Sequence, residues 1–444
     1  MLLALALLLS AQTAPPLALS STSQTLDNGL TVIVSPDRSV PGVAVDLWYR
    51  VGSRNEEKGR TGFAHLFEHL MFMGARHVPY PRFDTLMEAA GGVNNASTSI
   101  DRTNYWEVGP SNLLETFFWM EADRMASLGA TMTKDKLETQ RAVVLNERRQ
   151  SYENRPYGMA DYIISENLFP AGHPYSWDTI GTAQDLEAAT LSDVTGFFAR
   201  WYVPNDATLV VVGDVEPAAV FALAKKYFSF IPKKELPALQ KPAPVVLAAE
   251  KRIALTDKVE LPKLMLVWPS PAAYQPGDAD ADLLGTVLAR GKASRLYQRL
   301  VHQDQIATSV EAGQASGDLQ SSFRIDVLAR PGHTTQELLA AVDDELKKIV
   351  AQGPTQAEID AARARAESDF ARSLEGLQPR AERLADYAVH FGDANSLQRD
   401  LARYAAVTPA SMKKLLPALL APGRLVIEVQ PETHSAEHAV GGAK

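Results

Sequence analysis

Residues 61–73 read TGFAHLFEHLMFM. His65, Glu68 and His69 stand at i, i+3 and i+4, so on a helix all three leave one face within a single turn. Phe63, Ala64, Leu66, Phe67, Leu70, Met71 and Phe72 make the rest apolar nearly all round, so the helix is expected to be buried. Three ionisable groups on a buried helix must be paired or bound to a metal. Two imidazoles four residues apart can reach one tetrahedral Zn²⁺ at about 2.0–2.1 Å. Glu68, offset between them, is placed as a base rather than a ligand, acting on a water whose pKa such a metal lowers to about 7. The plainer alternative is a pair of histidines salt-bridged to a glutamate; placement on so apolar a helix favours the metal.

A catalytic zinc needs a third protein ligand and an open position. A helical pattern over Lys134–Tyr152 contains LETQRAVVLNERRQ, in which Leu137, Val144 and Glu147 share one stripe while Arg148 and Arg149 are expected to turn to solvent. On periodicity alone Glu147 is either that ligand or a surface glutamate paired to an arginine. The chain has 444 residues, no cysteine, and a net charge of −9. Zero cysteine excludes disulfide scaffolds, thiolate metal sites and thiol nucleophiles. The acidic balance gives no basic face for nucleic acid.

The length predicts two to four domains at roughly 100–200 residues each. Leu2–Leu9 is an unbroken apolar run followed by small and polar residues, so residues 1–20 read as a signal peptide and the protein as exported, periplasmic or secreted. No later stretch is apolar enough to span a membrane after processing. The texture beyond it is α+β. Asn28-Gly29 reads as a two-residue hairpin turn before strands at 30–34 and 42–50. Helices follow at 61–73 (stopping at Gly74), 79–91, 111–128, 134–152 and 191–201, with short strands over 94–108 and a strand at 207–213. Residues 232–245, PKKELPALQKPAPV, hold four prolines and three lysines and read as an extended linker. The segment after it repeats the outline of the first: strand 263–268, helix 409–420, strand 424–429. Residues 191–212 and 407–428 align without a gap at an offset of 216, which suggests a divergent duplication. The expected plan is residues 21–231 and 246–432 as two domains of one fold, with a flexible tail at 433–444. Histidines 77, 173, 302, 333, 390, 434 and 438 have no partner at ligand spacing; 302, 333 and 390 read as solvated or capping residues.

HLFEH followed by Glu147 in VVLNERR resembles the inverted-motif zinc peptidases of the pitrilysin or insulinase family, which includes mitochondrial processing peptidases. GGVNNASTSIDRTNYW (91–106), HPYSWDTIG (173–181) and ATLVVVGDV (207–215) extend the likeness over most of the chain. The resemblance implies a clamshell half of two homologous domains, each a mainly antiparallel sheet covered by helices. It implies one Zn²⁺ per chain held by His65, His69 and Glu147, and Glu68 as general base of a metalloendopeptidase acting on short or unfolded polypeptides. Asn95, Ala96, Ser97 and Thr98 would form the edge strand that pairs with the substrate backbone. Two departures stand out. The family's second glutamate, seven residues before the ligand glutamate, is Gln140. The family's C-terminal Arg and Tyr, seven apart, match Val301 and Thr308. The resemblance therefore implies a paralogous partner subunit that supplies the Arg/Tyr pair, or a homodimer; the alternative is a non-catalytic structural or peptide-binding subunit.

Overall fold

The computed structural model describes residues 17–432. Alternating apolar runs in the N-terminal half build a six-stranded sheet. Its strands are β1 (Thr22–Thr25), β2 (Thr31–Pro36), β3 (Gly42–Tyr49), β4 (Val93–Thr98), β5 (Thr103–Pro110) and β6 (Ala207–Gly213), in the order β1-β2-β6-β3-β5-β4. The second half builds five strands: β7 (Lys251–Asp257), β8 (Lys263–Ser270), β9 (Ala307–Ala315), β10 (Ser321–Ala329) and β11 (Leu425–Pro431), in the order β7-β11-β8-β10-β9. The two orders superpose once β1 is set aside. Each sheet has one parallel pairing, β2 with β6 and β7 with β11, and is otherwise antiparallel. The fold is α+β, two mostly antiparallel sheets dressed with helices.

The repeat has a different register from the ungapped alignment. The helix Leu191–Trp201 and strand β6 correspond to the helix Pro409–Leu419 and strand β11, each 218 residues on rather than 216. The cause is the cap. Thr190 and Thr408 each accept the N–H of the residue three further on, and a capping threonine fixes where a helix starts more firmly than low identity does. The Asn28-Gly29 turn is also longer than two residues. The connection runs over 26–30, with Gly29 at φ +88° and the Asn28 amide reaching the carbonyls of Phe228 (2.8 Å) and Ile231 (2.9 Å).

Both faces of each sheet are apolar, and each sheet borrows helices from the other half to cover its second face. On the six-stranded sheet, Ile33, Trp48, Val210 and Val212 lie under Ala381, Leu384 and Ala385 of the helix Leu377–Phe391. On the five-stranded sheet, Met265, Val267, Ile427 and Val429 lie under Ala160, Leu168, Phe169 and Tyr175. Leu384 is fully buried, and truncating such a leucine to alanine costs about 2–5 kcal/mol. Residues 232–247 carry no regular structure. Side-chain amides hold this connection at both ends: Asn205 exchanges two hydrogen bonds with the backbone of Lys234, and Gln320 two with that of Val245.

Leu17 and Leu19, inside the segment read as leader, pack against apolar side chains of the second half. The rest of the leader reading (1–16) and the tail (433–444, with His434 and His438) lie outside the described residues. Among the described residues no helix is long and apolar enough to cross a membrane.

His390 is neither solvated nor a cap. It sits at the junction of the halves, with Nε2 2.8 Å from Asp318 and Nδ1 2.9 Å from the Asp386 carboxylate, beside the ring of Tyr274. Burial alone would lower its pKa; the two carboxylates overcome that and hold it at about 10. The folded state thus favours imidazolium. Its contribution to stability is complete below the unfolded value of about 6.5 and is lost as pH climbs through about 10. The melting temperature of the full chain is accordingly expected to fall more steeply from about pH 7 to 10 than that of His390→Gln; equal slopes by calorimetry would remove the ion pair from the account.

Candidate metal centre

The helix that carries the histidines is α1, Phe63–Leu70, shorter at both ends than the 61–73 expected. Its N-terminus has no side-chain cap of its own, because Gly62 enters it at φ +85°, where a Cβ would meet the carbonyl of Ile180 at 2.7 Å. Buried Glu56 does the capping from a distance, accepting the N–H groups of Gly62 (2.9 Å) and Ala64 (2.7 Å). Phe63, Leu66, Phe67 and Leu70 enter the core, as their periodicity predicts. The short helix α2, Arg82–Ala89, packs beside β4, and α3, Leu114–Thr131, covers the sheet.

Across from α1 runs α4, Lys134–Arg148, which ends four residues before the expected Tyr152 and continues as a single π-turn over Arg149–Glu153. Glu147 lies in its last turn. Arg148, expected to face solvent, is buried instead. It donates to the carbonyl of Gly181 (3.2 Å) and to Glu153, and stacks on Tyr162 at 4.8 Å. The π-turn begins only after Arg148, and a regular count puts Arg148, four residues after Val144 and eleven after Leu137, on the buried stripe; its charge, not its phase, pointed to solvent. Arg148 thereby anchors the end of α4 that presents Glu147.

The two helices bring His65, His69 and Glu147 together, the one such group among the described residues whose ligand atoms all lie within 4.8 Å of one another. Nε2 of His69 is 3.3 Å and Nε2 of His65 is 3.7 Å from the same oxygen, Oε2 of Glu147. A tetrahedral ion with bonds of about 2.0–2.1 Å requires ligand-to-ligand edges of about 3.4 Å, so the donor set fits a zinc-sized ion. Its protonation fits as well. Burial, then the neighbouring His69, lower the His65 pKa to about 4, leaving a neutral imidazole at physiological pH. Glu147 is held below its ordinary value by its hydrogen bond with His69. Nδ1 of His65 is buried without a hydrogen-bond partner.

Glu68 sits between the histidines along α1, and burial raises its pKa above the ordinary carboxyl value. The hydroxyl of Thr98 donates to its Oε2. That contact was not foreseen; the signal for it is strand alternation, which puts Ala96 and Thr98 on one face of β4 and Ser97 on the other. Asn95–Thr98 lie on β4, an edge of the six-stranded sheet packed on α1. Asn95 is exposed, and its side chain accepts the N–H of Ala96 at 2.9 Å. Gln140 stands apart from the cluster, its amide directed at the sulfur of Met73.

In the second half, Val301 packs on the apolar core and the Thr308 hydroxyl donates to the carbonyl of Ala329 (2.9 Å). The nearby cations are engaged too: Arg295 with Glu358 at 2.6 Å, and Arg299 with Asp304 at 2.7 Å.

The family model for insulinase (peptidase family M16) matches residues 31–169, and that for the peptidase M16 inactive domain matches residues 188–366. Zinc protease PqqE of Helicobacter pylori is 33% identical over 371 residues, covering 83% of each chain. A crystal structure of a protease from Helicobacter pylori superposes with a TM-score of 0.86 at 29% identity, covering 94% of this chain and all of that one. The first half of the periplasmic protease PqqL from Escherichia coli shares the fold, with a TM-score of 0.75 at 20% identity over 93% of this chain and 92% of that one. With this arrangement of sheets and this likeness over most of its length, the chain belongs to the insulinase, or M16, family of peptidases.

Proposed function

We propose that the chain is a zinc-dependent endopeptidase acting on extended polypeptides, with His65, His69 and Glu147 as metal ligands and Glu68 as general acid and base. The observation that carries this reading is the convergence of both imidazole Nε2 atoms on one Glu147 oxygen, with the Glu68 carboxylate one helical step away. When bound, zinc supplies Lewis acidity, bringing the pKa of a water to about 7 and polarising the scissile carbonyl. Glu68 takes the proton of the attacking water and passes it to the departing amine. Its raised pKa suits a group that must both accept and return a proton near neutrality. The edge strand β4 offers main-chain groups to an extended substrate, giving affinity with little side-chain specificity; the Ala96 N–H and the Ser97 carbonyl are engaged by Asn95 and Arg102.

A non-catalytic subunit is the rival, favoured by the inactive-domain match and by Val301, Thr308 and Gln140. That match begins at residue 188, however, and every residue of the metal cluster lies within 31–169. The leader-like N-terminus and the periplasmic setting of the PqqL relative support an exported enzyme. Glu68→Gln is expected to keep one zinc per chain while hydrolysis of fluorescein-labelled casein falls by about 10²–10⁴-fold. His69→Ala is expected to lose the metal itself, read by atomic absorption. Undiminished cleavage by Glu68→Gln would defeat the catalytic assignment.

Val301 has no donor, the Thr308 hydroxyl is engaged with the carbonyl of Ala329, and Arg295 and Arg299 are held by carboxylates of their own half. A second subunit carrying Arg and Tyr at those positions would complete the site. One missing oxyanion donor costs about 10²–10³ in kcat. Adding such a paralogous chain should therefore raise casein turnover by about that factor, with a 1:1 complex by light scattering. A monomer that turns over at full rate, independent of concentration and partner, would contradict the two-subunit reading.

A further inference from the structure

The hairpin that ends β4 and begins β5 turns at residues 99–102, and its tip is held by the second half of the chain. Asp101 accepts from Arg54 (2.8 Å) and from the backbone N–H of Asp318 (2.9 Å), and Arg54 also bonds the Asp318 carboxylate at 2.6 Å. His390 takes the other oxygen of Asp318 at 2.8 Å. One residue on, Arg102 lies over the Trp48 ring at 5.0 Å. It donates to Glu382 (2.9 Å) on the helix Leu377–Phe391 and to the main-chain carbonyl of Ser97 (3.0 Å) on β4. Arg102 thus has one hand on the second half and one on the edge strand. The residue after Ser97 is Thr98, whose hydroxyl holds Glu68.

We propose that the second half positions the general base: Glu382 and Asp318, through Arg102 and Asp101, hold the hairpin so that Thr98 keeps the Glu68 carboxylate in place. These are positioning residues; none of the four clamp residues is among those placed at the metal or on the substrate strand. The first half also grips the tip, through the N–H groups of Ser53 and Arg54 on the carbonyls of Ser99 (3.2 Å) and Ile100 (2.9 Å). Those bonds fix the turn, and within the first half Asn104 (3.0 Å), the Ser97 hydroxyl and the Trp48 ring also hold the Arg102 side chain; Glu382 is the partner that ties it, and with it the Ser97 carbonyl, to the helix Leu377–Phe391. A carboxylate displaced by about 1 Å can lose about a hundredfold in rate, so small movements of β4 matter. The clamp also gives the half without a metal cluster a task in the reaction of the half that has one. It rests on Glu68 acting as the base.

The test uses the full chain with zinc and fluorescein-labelled casein, with the partner subunit present if turnover needs it. Glu382 is one-third exposed, so Glu382→Lys is expected to fold, with one zinc per chain. The exchange puts two cations face to face. It should lower kcat about tenfold and speed amide hydrogen exchange of residues 97–102 at least about threefold, with Glu382→Gln, which keeps an acceptor, recovering most of both. In a Thr98→Val background the same Glu382→Lys change should cost less than about twofold in kcat, because the path it works through is already cut. Equal losses in the two backgrounds, or wild-type exchange at 97–102, would overturn the clamp. Failure of the wild-type chain to cut casein under any of these conditions would count against the peptidase reading instead. Exchange then decides the clamp alone: faster exchange in Glu382→Lys supports the coupling of the second half to the hairpin, and unchanged exchange overturns it.

Discussion

Each sheet of this protein has two apolar faces, and each half lends helix and loop to cover the second face of the other's sheet. Ile33, Trp48, Val210 and Val212 would stand in water without the helix Leu377–Phe391, as Met265, Val267, Ile427 and Val429 would without the segment around Phe169. Burying apolar surface is the main favourable term in folding, at about 25 cal/mol per Å². The exchange of cover therefore packs the two halves against each other. It also explains why residues 232–247 can remain irregular. The relation of the halves is set by packing, and the connection between them only has to reach.

Charged groups are caught inside this arrangement and lean on one another. In the first half, Arg124 bonds both Glu107 (3.2 Å) and Glu121 and stacks on Phe83 at 4.5 Å and Phe72 at 5.3 Å, all behind α1. Two carboxylates and one guanidinium would leave a net negative charge in the core. Burial, with Glu121 alongside, pushes the Glu107 carboxyl well above its ordinary value, which favours its uncharged form and lessens that charge. Asp46 on β3, buried near Glu382 and bonded to the Asn104 amide, is likewise pushed up to about 8. Breaking such a group from one side strands a charge in the core, which is costly even where the intact group adds little stability. The floor beneath the metal helix is thus fixed by charge as well as by shape.

What the sequence revealed and what it hid divide along a physical line. Helix and strand periodicity are local, and they placed the helix Leu191–Trp201, the strand β6 and the convergence-ready spacing of His65, Glu68 and His69 well. Glu147 was legible as sharing a stripe with Leu137 and Val144, but its meeting with the histidines depends on how α4 crosses α1. Arg148 shares the stripe of Leu137 and Val144 and was placed in solvent on its charge alone; the carbonyl of Gly181, Glu153 and Tyr162 that make its burial tolerable come from elsewhere in the fold. His390 was misread because both of its carboxylates come from the fold: Asp318 lies on another element, and Asp386 one turn back looks like an ordinary helical pair until the junction buries it. Thr98 on Glu68 and Arg102 on Glu382 join segments far apart in the chain, and no window of sequence shows such pairs.

The duplication offers an internal control on the metal site. The first helix after β3 is α1; the first after the matching strand β8 is Asp278–Ala289, which carries Asp278 and Asp282 one turn apart as α1 carries His65 and His69. In the second copy these side chains are satisfied by their own half. Arg403 reaches Asp278 at 2.7 Å, the Tyr404 hydroxyl reaches Asp282 at 2.7 Å, and the Gln314 amide bridges toward both. In the first copy the corresponding groups turn toward each other: two imidazoles meet one carboxylate oxygen, and Nδ1 of His65 is buried without a partner. A buried polar group without a partner is destabilising, so the unpartnered His65 nitrogen, beside two imidazoles that meet one carboxylate oxygen, argues against a purely structural cluster. The same framework has thus been resolved in two ways, once for stability and once at a cost to stability. That difference, between two helices in equivalent places on matching sheets, is the strongest physical reason to assign the chemistry to α1 and the support of it to the other half.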